Sequence, residues 1–264
     1  MTFRNLEGVP DFRCDEYAAR QSKYCLLIPV INEGARIQEE LKRAKAANVD
    51  GLVDIILCDG GSEDGSTEGG LLRSLGVNTL LTKLGPGRQG AQLRTGFWWA
   101  LQRGYEGFIT IDGNNKDSIE DVPSFIQKLD EGYDFVQGSR FVRGGRAANT
   151  PPMRYMALRL VHAPMISLRA GRWFTDTTNN FRAYSKGYIT HPDVRPFRDI
   201  FSTYELLAYL SVRAGRLGLR TAEIPVTRSY PKHGATPTKI KGFQGNKLLL
   251  KILLDSVRGK YDPR

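Results

Sequence analysis

Phe108 to Pro123 reads FITIDGNNKDSIEDVP. Four strand-like residues, Phe108 to Ile111, end on an acid, Asp112. A short polar loop follows: Gly113, Asn114, Asn115, Lys116 and Asp117. Ser118 and Asp121 have the Ser-x-x-acid spacing of a helix-start capping box. Ile119, Val122, Phe125, Ile126 and Leu129 recur behind it at helical spacing. The stretch is therefore strand, loop, helix. It sets two carboxylates, two amides and an ammonium at the carboxyl end of a buried strand, the edge at which open α/β sheets bind ligands.

The same order repeats on the N-terminal side. The run YCLLIPVI after Lys23 reads as a buried strand, with Pro29 marking a sheet edge or the strand's exit. The loop Asn32, Glu33, Gly34 leads into a helix over 35–47 with Ile37, Leu41 and Ala44 on one face. A second strand over 52–57 opens into Cys58, Asp59, Gly60, Gly61, Ser62, Glu63, Asp64 and Gly65. A third spans 77–81, and a glycine-rich turn over 85–90 enters a helix over 91–103. Four such units predict an α/β fold with a mostly parallel, doubly wound sheet and the informative loops on one edge. Beyond the acid loop the pattern predicts a strand over 134–139, a helix over 154–170 broken near Pro164, a polar turn over 176–180, a helix over 203–214 and a strand over 219–226. Residues 227–243 are basic and turn-rich, and a helix over 246–257 follows. We expect an N-terminal extension (1–22), a single catalytic domain (23–243) and a C-terminal amphipathic helix and tail (244–264).

The 264 residues suffice for one large domain with a substantial core. Lys and Arg outnumber Asp and Glu by 38 to 28, which favours a polyanionic partner. The charge is dispersed, so nucleotide phosphates or an anionic membrane surface are expected rather than nucleic acid. Cys14, Cys25 and Cys58 have no metal spacing and suit a reducing compartment. There is no signal-like N-terminus and no apolar run near the roughly 20 residues that span a bilayer. A cytoplasmic protein is expected, peripheral to the membrane at most.

Together the loops resemble the GT-A glycosyltransferases of family 2 that include dolichyl-phosphate mannose synthase and bacterial polyprenyl-phosphate glycosyltransferases. Six segments carry the resemblance, in order: Pro29 to Glu33, Asp59 to Ser66, Asp112-Gly113-Asn114 where the family has Asp-x-Asp, Gly138-Ser139-Arg140, Asp176 to Arg182, and Glu223 to Val226. The resemblance implies a GT-A fold, Rossmann-like with helices flanking the sheet. It also implies transfer of a hexosyl group from a GDP- or UDP-linked sugar to a polyprenyl phosphate, with inversion.

The resemblance places Pro29, Asn32, Glu33 and Asp59 around the nucleoside, and Asp112, Gly113 and Asn114 at the diphosphate. Asn114 stands where the family has its second acid, and Lys116 where it has a glutamine. Either Asp112, Asn114 and Asp117 hold Mg²⁺ or Mn²⁺, the reading we favour, or Lys116 supplies positive charge directly, since an ammonium cannot ligate a metal. The glycines around Arg88 can cradle a phosphate at a helix N-terminus. A phosphate acceptor is already an anion near neutral pH, with a second pKa of about 6, and needs positioning rather than a base. The resemblance implies Arg140 and Arg154 for that task. The family's serine one turn beyond the second arginine is absent, leaving Arg159 or His162 to compensate. A hydroxyl acceptor would instead require a base, Asp176 or Asp117. A nucleotide-sugar-binding protein without catalysis is a third reading. His233 and Lys239 lie in a segment that can close over substrate, and the last helix can lie on an anionic membrane. A homo-oligomer or a membrane subunit is compatible with the sequence.

Overall fold

A computed structural model describes residues 1–231 and 242–263, with Gly242 and Phe243 described by backbone alone. In chain order the elements are β1 (Thr2–Phe3), β2 (Phe12–Glu16), β3 (Tyr24–Val30), α1 (Ala35–Ala46), β4 (Asp54–Asp59), α2 (Gly69–Ser74), β5 (Val77–Lys83), α3 (Gln89–Gln102), β6 (Gly107–Thr110), α4 (Val122–Asp130), β7 (Phe135–Ser139), β8 (Arg146–Ala148), α5 (Pro152–Ala157), α6 (Ala163–Ala170), β9 (Arg182–Ser185), α7 (Lys186–Ile189), α8 (Glu205–Arg216), β10 (Thr221–Pro225), β11 (Thr227–Ser229) and α9 (Gly242–Val257).

Among the described residues, nine strands form one mixed sheet in the order β1-β2-β5-β4-β3-β6-β9-β7-β10. β3 lies inside it, parallel to β4 on one side and β6 on the other. Its unbroken apolar run is what a strand covered on both faces requires. Side-chain alternation sorts that run between two cores. Cys25 and Leu27 join the cluster that contains α3 and α8, while Leu26, Ile28 and Val30 join the one that contains α1 and α4. Pro29 sits past the last β6 partner, at the strand's exit, where it costs the ladder nothing on that side.

Three expectations change. Residues 12–16 are not part of a loose extension: β2 pairs antiparallel with β5, and Phe12 is fully buried. The sheet is less parallel than a doubly wound one, because β9 runs antiparallel between β6 and β7. Ser118 and Asp121 do not cap a backbone N–H. The hydroxyl donates to the Asp121 carboxylate, and the backbone starts as one 3-10 turn over Ile119–Asp121. The break near Pro164 is present as a π-turn over Leu158–His162 between α5 and α6.

Candidate functional site at the carboxyl edge of the sheet

Past Thr110 the chain keeps to β3 for one more bond, Ile111 N–H to Leu27 O at 3.2 Å, and then turns. Gly113 is required there: a Cβ would lie 2.5 Å from Val30 Cγ1. Asn115 adopts a left-handed φ of 55°, which asparagine tolerates better than most residues. Its N–H donates to Glu40 Oε2 at 2.9 Å, and its side-chain oxygen accepts from Arg43 Nη1 at 2.7 Å. The acid loop is thus held from below by α1.

Two oxygens of Asp112 gather distant elements. Gln89 Nε2, at the start of α3, donates to Oδ1 at 2.8 Å, and Arg228 Nη2, from β11, to Oδ2 at 2.9 Å. The other terminal nitrogen of Arg228 donates to the Asp117 carboxylate and, at 3.2 Å, to Asn179 Oδ1. Burial pushes the Asp112 carboxyl up, but Arg228 and then Lys116 outweigh it and hold it below the ordinary value. Burial wins at Asp117, which is raised despite Arg228. Lys116 is 6% exposed, with its ammonium 5.2 Å from the Tyr230 ring centre. Burial, then the neighbouring Arg228 charge, lowers it to about 8.

The second half of the site adjoins this one. Arg140 reaches Asp176 with Nε at 2.6 Å and Nη2 at 2.8 Å, and Thr178 Oγ1 with Nη2 at 2.9 Å. Both ionic side chains are buried. Burial pushes Asp176 up, and the Arg140 charge and hydrogen bonds more than reverse it. The backbone N–H of Asn179 points to Asp176 Oδ1 at 3.3 Å, so Asn179 touches both ion pairs. Arg154 is half-buried. Its Nη1 donates to Tyr230 Oη at 3.3 Å, on the ring that also faces Lys116. Asp112, Asp117, Lys116, Arg140, Arg154 and Asp176 therefore lie in one connected network. His162 shares a 2.7 Å hydrogen bond with Thr177 Oγ1, and burial, then Arg182, lowers it to about 4, so it is neutral near pH 7. Arg159 lies 5.0 Å from the Phe141 ring centre.

The loops after β3 and β4 are stitched to each other. Asn32 N–H donates to Ser62 Oγ at 2.9 Å, and Glu63 N–H to Asn32 Oδ1 at 2.8 Å. Glu33 takes an ion pair from Arg36 at 2.9 Å. Asp59 accepts from both the N–H and the hydroxyl of Ser62. Arg88 is exposed beside the N-terminus of α3, and its own N–H is bonded to Ser202 O at 2.8 Å.

Arg228, Gln89, Tyr230, Asn179 and Glu40 join the site without standing out individually in the sequence. Arg228 stands in a stretch that is basic and turn-rich throughout, with nothing beside it in sequence to single it out. Glu40 left a readable sign: it falls beside Ile37, Leu41 and Ala44 on the buried face of α1. His233 and Lys239 lie outside the described residues. The last helix buries Ile252 and Leu253 against the domain. Leu250 of that helix is exposed, but among the described residues the largest run of exposed apolar side chains is on the α5–α6 segment and just after it: Met153, Met156, Leu160, Val161, Leu168 and Trp173.

Oxygen donors suited to a hard divalent cation are present. Asn114 Oδ1 and Asp117 Oδ1 are buried without a hydrogen-bond partner among the described residues. Three His, Cys, Asp or Glu side chains that could by themselves hold a metal do not occur together among those residues. The donor set thus fits a cation that is completed by ligand oxygens.

The architecture is that of the GT-A glycosyltransferases. Glucosyl-3-phosphoglycerate synthase from Mycobacterium tuberculosis, solved with Mn²⁺, UDP-glucose and phosphoglyceric acid, superposes with a TM-score of 0.63 at 18% identity, over 93% of this chain and 81% of that one. By sequence the chain is 29% identical over 207 residues to the undecaprenyl-phosphate mannosyltransferase of Micrococcus luteus (76% of this chain, 81% of the relative). It is 25% identical over 242 residues to the polyprenol monophosphomannose synthase of Mycolicibacterium smegmatis (90% and 88%). No protein-family model matches. Fold and relatives together make the chain a glycosyltransferase with the GT-A architecture. Among the described residues no helix is long and apolar enough to cross a membrane.

Proposed function

We propose that the chain moves a hexosyl group from a nucleotide diphosphate sugar, GDP- or UDP-linked, to a polyprenyl phosphate, with inversion at the anomeric carbon. The observation that carries this reading is the state of the carboxylates. Asp176 has both oxygens on Arg140 and a depressed pKa, and Asp117 is ion-paired to Arg228. Asp176 is therefore not placed to accept a proton, which a hydroxyl acceptor would demand, and the raised Asp117 carboxyl has one oxygen on Arg228 and offers the other as a donor to a cation. A phosphate monoester arrives as an anion and needs only to be gripped and aimed. Arg154 and the Arg140 that Asp176 orients are the cations for that grip. The exposed apolar side chains of the α5–α6 segment offer a surface for the lipid tail at a membrane. We place the work at the cytoplasmic face.

On the donor side, Pro29, Asn32, Glu33, Asp59 and Arg88 border the nucleotide, and Gly113 lets the acid loop that faces it close down on Val30. Asp112, Asn114 and Asp117 would hold Mg²⁺ or Mn²⁺ together with the diphosphate, and the ion would neutralise charge on the leaving group. Lys116 adds its own charge beside them. The likeness to an undecaprenyl-phosphate mannosyltransferase and a polyprenol monophosphomannose synthase supports this acceptor class.

The test uses radiolabelled GDP-mannose, UDP-glucose or UDP-GlcNAc and a polyprenyl phosphate, and follows label into a butanol-extractable lipid. Arg154→Ala is expected to raise the KM for the lipid by about tenfold or more, the loss of one charge-assisted contact, with nucleotide affinity unchanged. No transfer to lipid with any donor, alongside transfer to a simple sugar hydroxyl, would establish the hydroxyl-acceptor reading instead.

A further inference from the structure

Arg228 is the least expected member of the site. β11 is zipped to the acid loop through its backbone: Ser118 N–H to Thr227 O at 3.0 Å, Ser229 N–H to Lys116 O at 2.7 Å, and a bridge between Asp117 and Arg228. That zipper aims the guanidinium inward, where it is 7% exposed. One terminal nitrogen meets Asp112 at 2.9 Å, and the other meets Asp117. Two carboxylates, Arg228 and Lys116 make a cluster with no net charge before any ligand enters. A planar guanidinium spans two carboxylates through separate nitrogens, which an ammonium cannot do.

We propose that Arg228 is the resident counter-ion of the acid loop, occupying the space between Asp112 and Asp117, so that a divalent cation enters only together with the nucleotide's diphosphate. This rests on the reading that the loop receives a diphosphate. A dication added to the balanced cluster would meet two positive side chains at close range, and the protein oxygens around it are too few to compensate. A diphosphate changes the sum by bringing negative charge and further oxygen ligands.

Binding of Mn²⁺ alone, read as loss of the free-ion signal in electron paramagnetic resonance, tests the idea without turnover. Wild type is expected to take up no stoichiometric Mn²⁺ until UDP is added. Arg228→Gln, which removes the charge and frees one oxygen on each carboxylate, is expected to bind Mn²⁺ without nucleotide at least about tenfold more tightly than wild type, the scale of removing a unit charge a few ångströms from a dication. Arg228→Lys keeps the charge but not the two-pronged reach, and is expected to bind Mn²⁺ without nucleotide more weakly than Arg228→Gln and no more weakly than wild type. Stoichiometric uptake by nucleotide-free wild type overturns the proposal. So does wild type that takes up no Mn²⁺ even with UDP, or a folded Arg228→Gln that binds no better than wild type. The wild-type arm stands even if that variant does not fold. No sugar or lipid is present, so the result is independent of the transfer assay above. Calorimetric titration of UDP reports separately whether the loop receives a diphosphate.

Discussion

Asp59 and Asp112 occupy equivalent places and behave differently. Asp59 is the last residue of β4 and Asp112 lies just past β6, the two parallel neighbours of β3. Asp59 spends its oxygens three residues away, on the N–H and hydroxyl of Ser62. Asp112 spends its oxygens on Gln89 and Arg228, which lie 23 and 116 residues away in sequence. A carboxylate satisfied by its own turn shapes that turn. One satisfied by distant elements is a meeting point, and its charge serves whatever those elements surround. The sharpest way to break the comparison is to neutralise each acid. Asp112→Asn is expected to lower kcat/KM by about 10²–10³-fold, the scale seen when a preorganised electrostatic group is lost. Asp59→Asn should cost about 1 kcal/mol of stability through weakened turn hydrogen bonds and change kcat/KM far less. Steady-state kinetics with urea unfolding of both variants measures the gap. Equal kinetic losses would mean that Asp59 does more than border the nucleotide and supports the transfer as strongly as Asp112.

The Arg140–Asp176 pair extends the comparison to the acceptor half. It is buried, so its worth lies in not being broken. Removing one partner from a buried pair typically costs about 3–5 kcal/mol because the other charge is left uncompensated. Asp176→Asn should therefore lower stability on that scale. It should also release Arg140 from its fixed direction, with the KM for the lipid acceptor rising more than that for the nucleotide sugar. A raised KM for the nucleotide sugar alone would move Arg140 to the donor side.

Most of the sheet's parallel half was legible, because buried strands advertise themselves as short apolar runs and each ended in a chemically marked loop. The register of those strands places Asp59 and Asp112 at one edge without further assumption. Three kinds of information were not local. β2 carries Arg13, Asp15 and Glu16 among its five residues, and its apolar alternation is too short to stand out. The antiparallel insertion of β9 between β6 and β7 depends on long-range pairing. Arg228 is the clearest case. Nothing adjacent in sequence separates it from the other cations of a basic stretch, and only the pairing of β11 with the acid loop turns it inward. Gly138 shows the reverse. The Gly-Ser-Arg motif named it, and the fold explains it: a Cβ there would lie 2.7 Å from Phe181 O.

Glu40 carries the smallest expected effect and the most specific one. It is fully buried under the acid loop, accepts the Asn115 N–H with Oε2, and leaves Oε1 without a partner among the described residues. Burial, only partly offset by that N–H, with the Asp117 and Asp112 charges added, holds its carboxyl well above the usual 4.5. A carboxyl raised in the folded state binds its proton more firmly there than in the unfolded chain. As pH climbs past 4.5 the unfolded chain ionises first, so this group's contribution to stability falls until the folded pKa is passed. Glu40→Gln has nearly the shape of the protonated acid and cannot ionise. It should match wild type in acid and gain on it steadily as pH rises from the ordinary glutamate range toward neutral. Urea midpoints across that range measure the difference. A flat or inverted difference would mean that Glu40 is ionised beneath the loop, and the loop's charge balance would then include a third carboxylate that Arg228 and Lys116 do not cover.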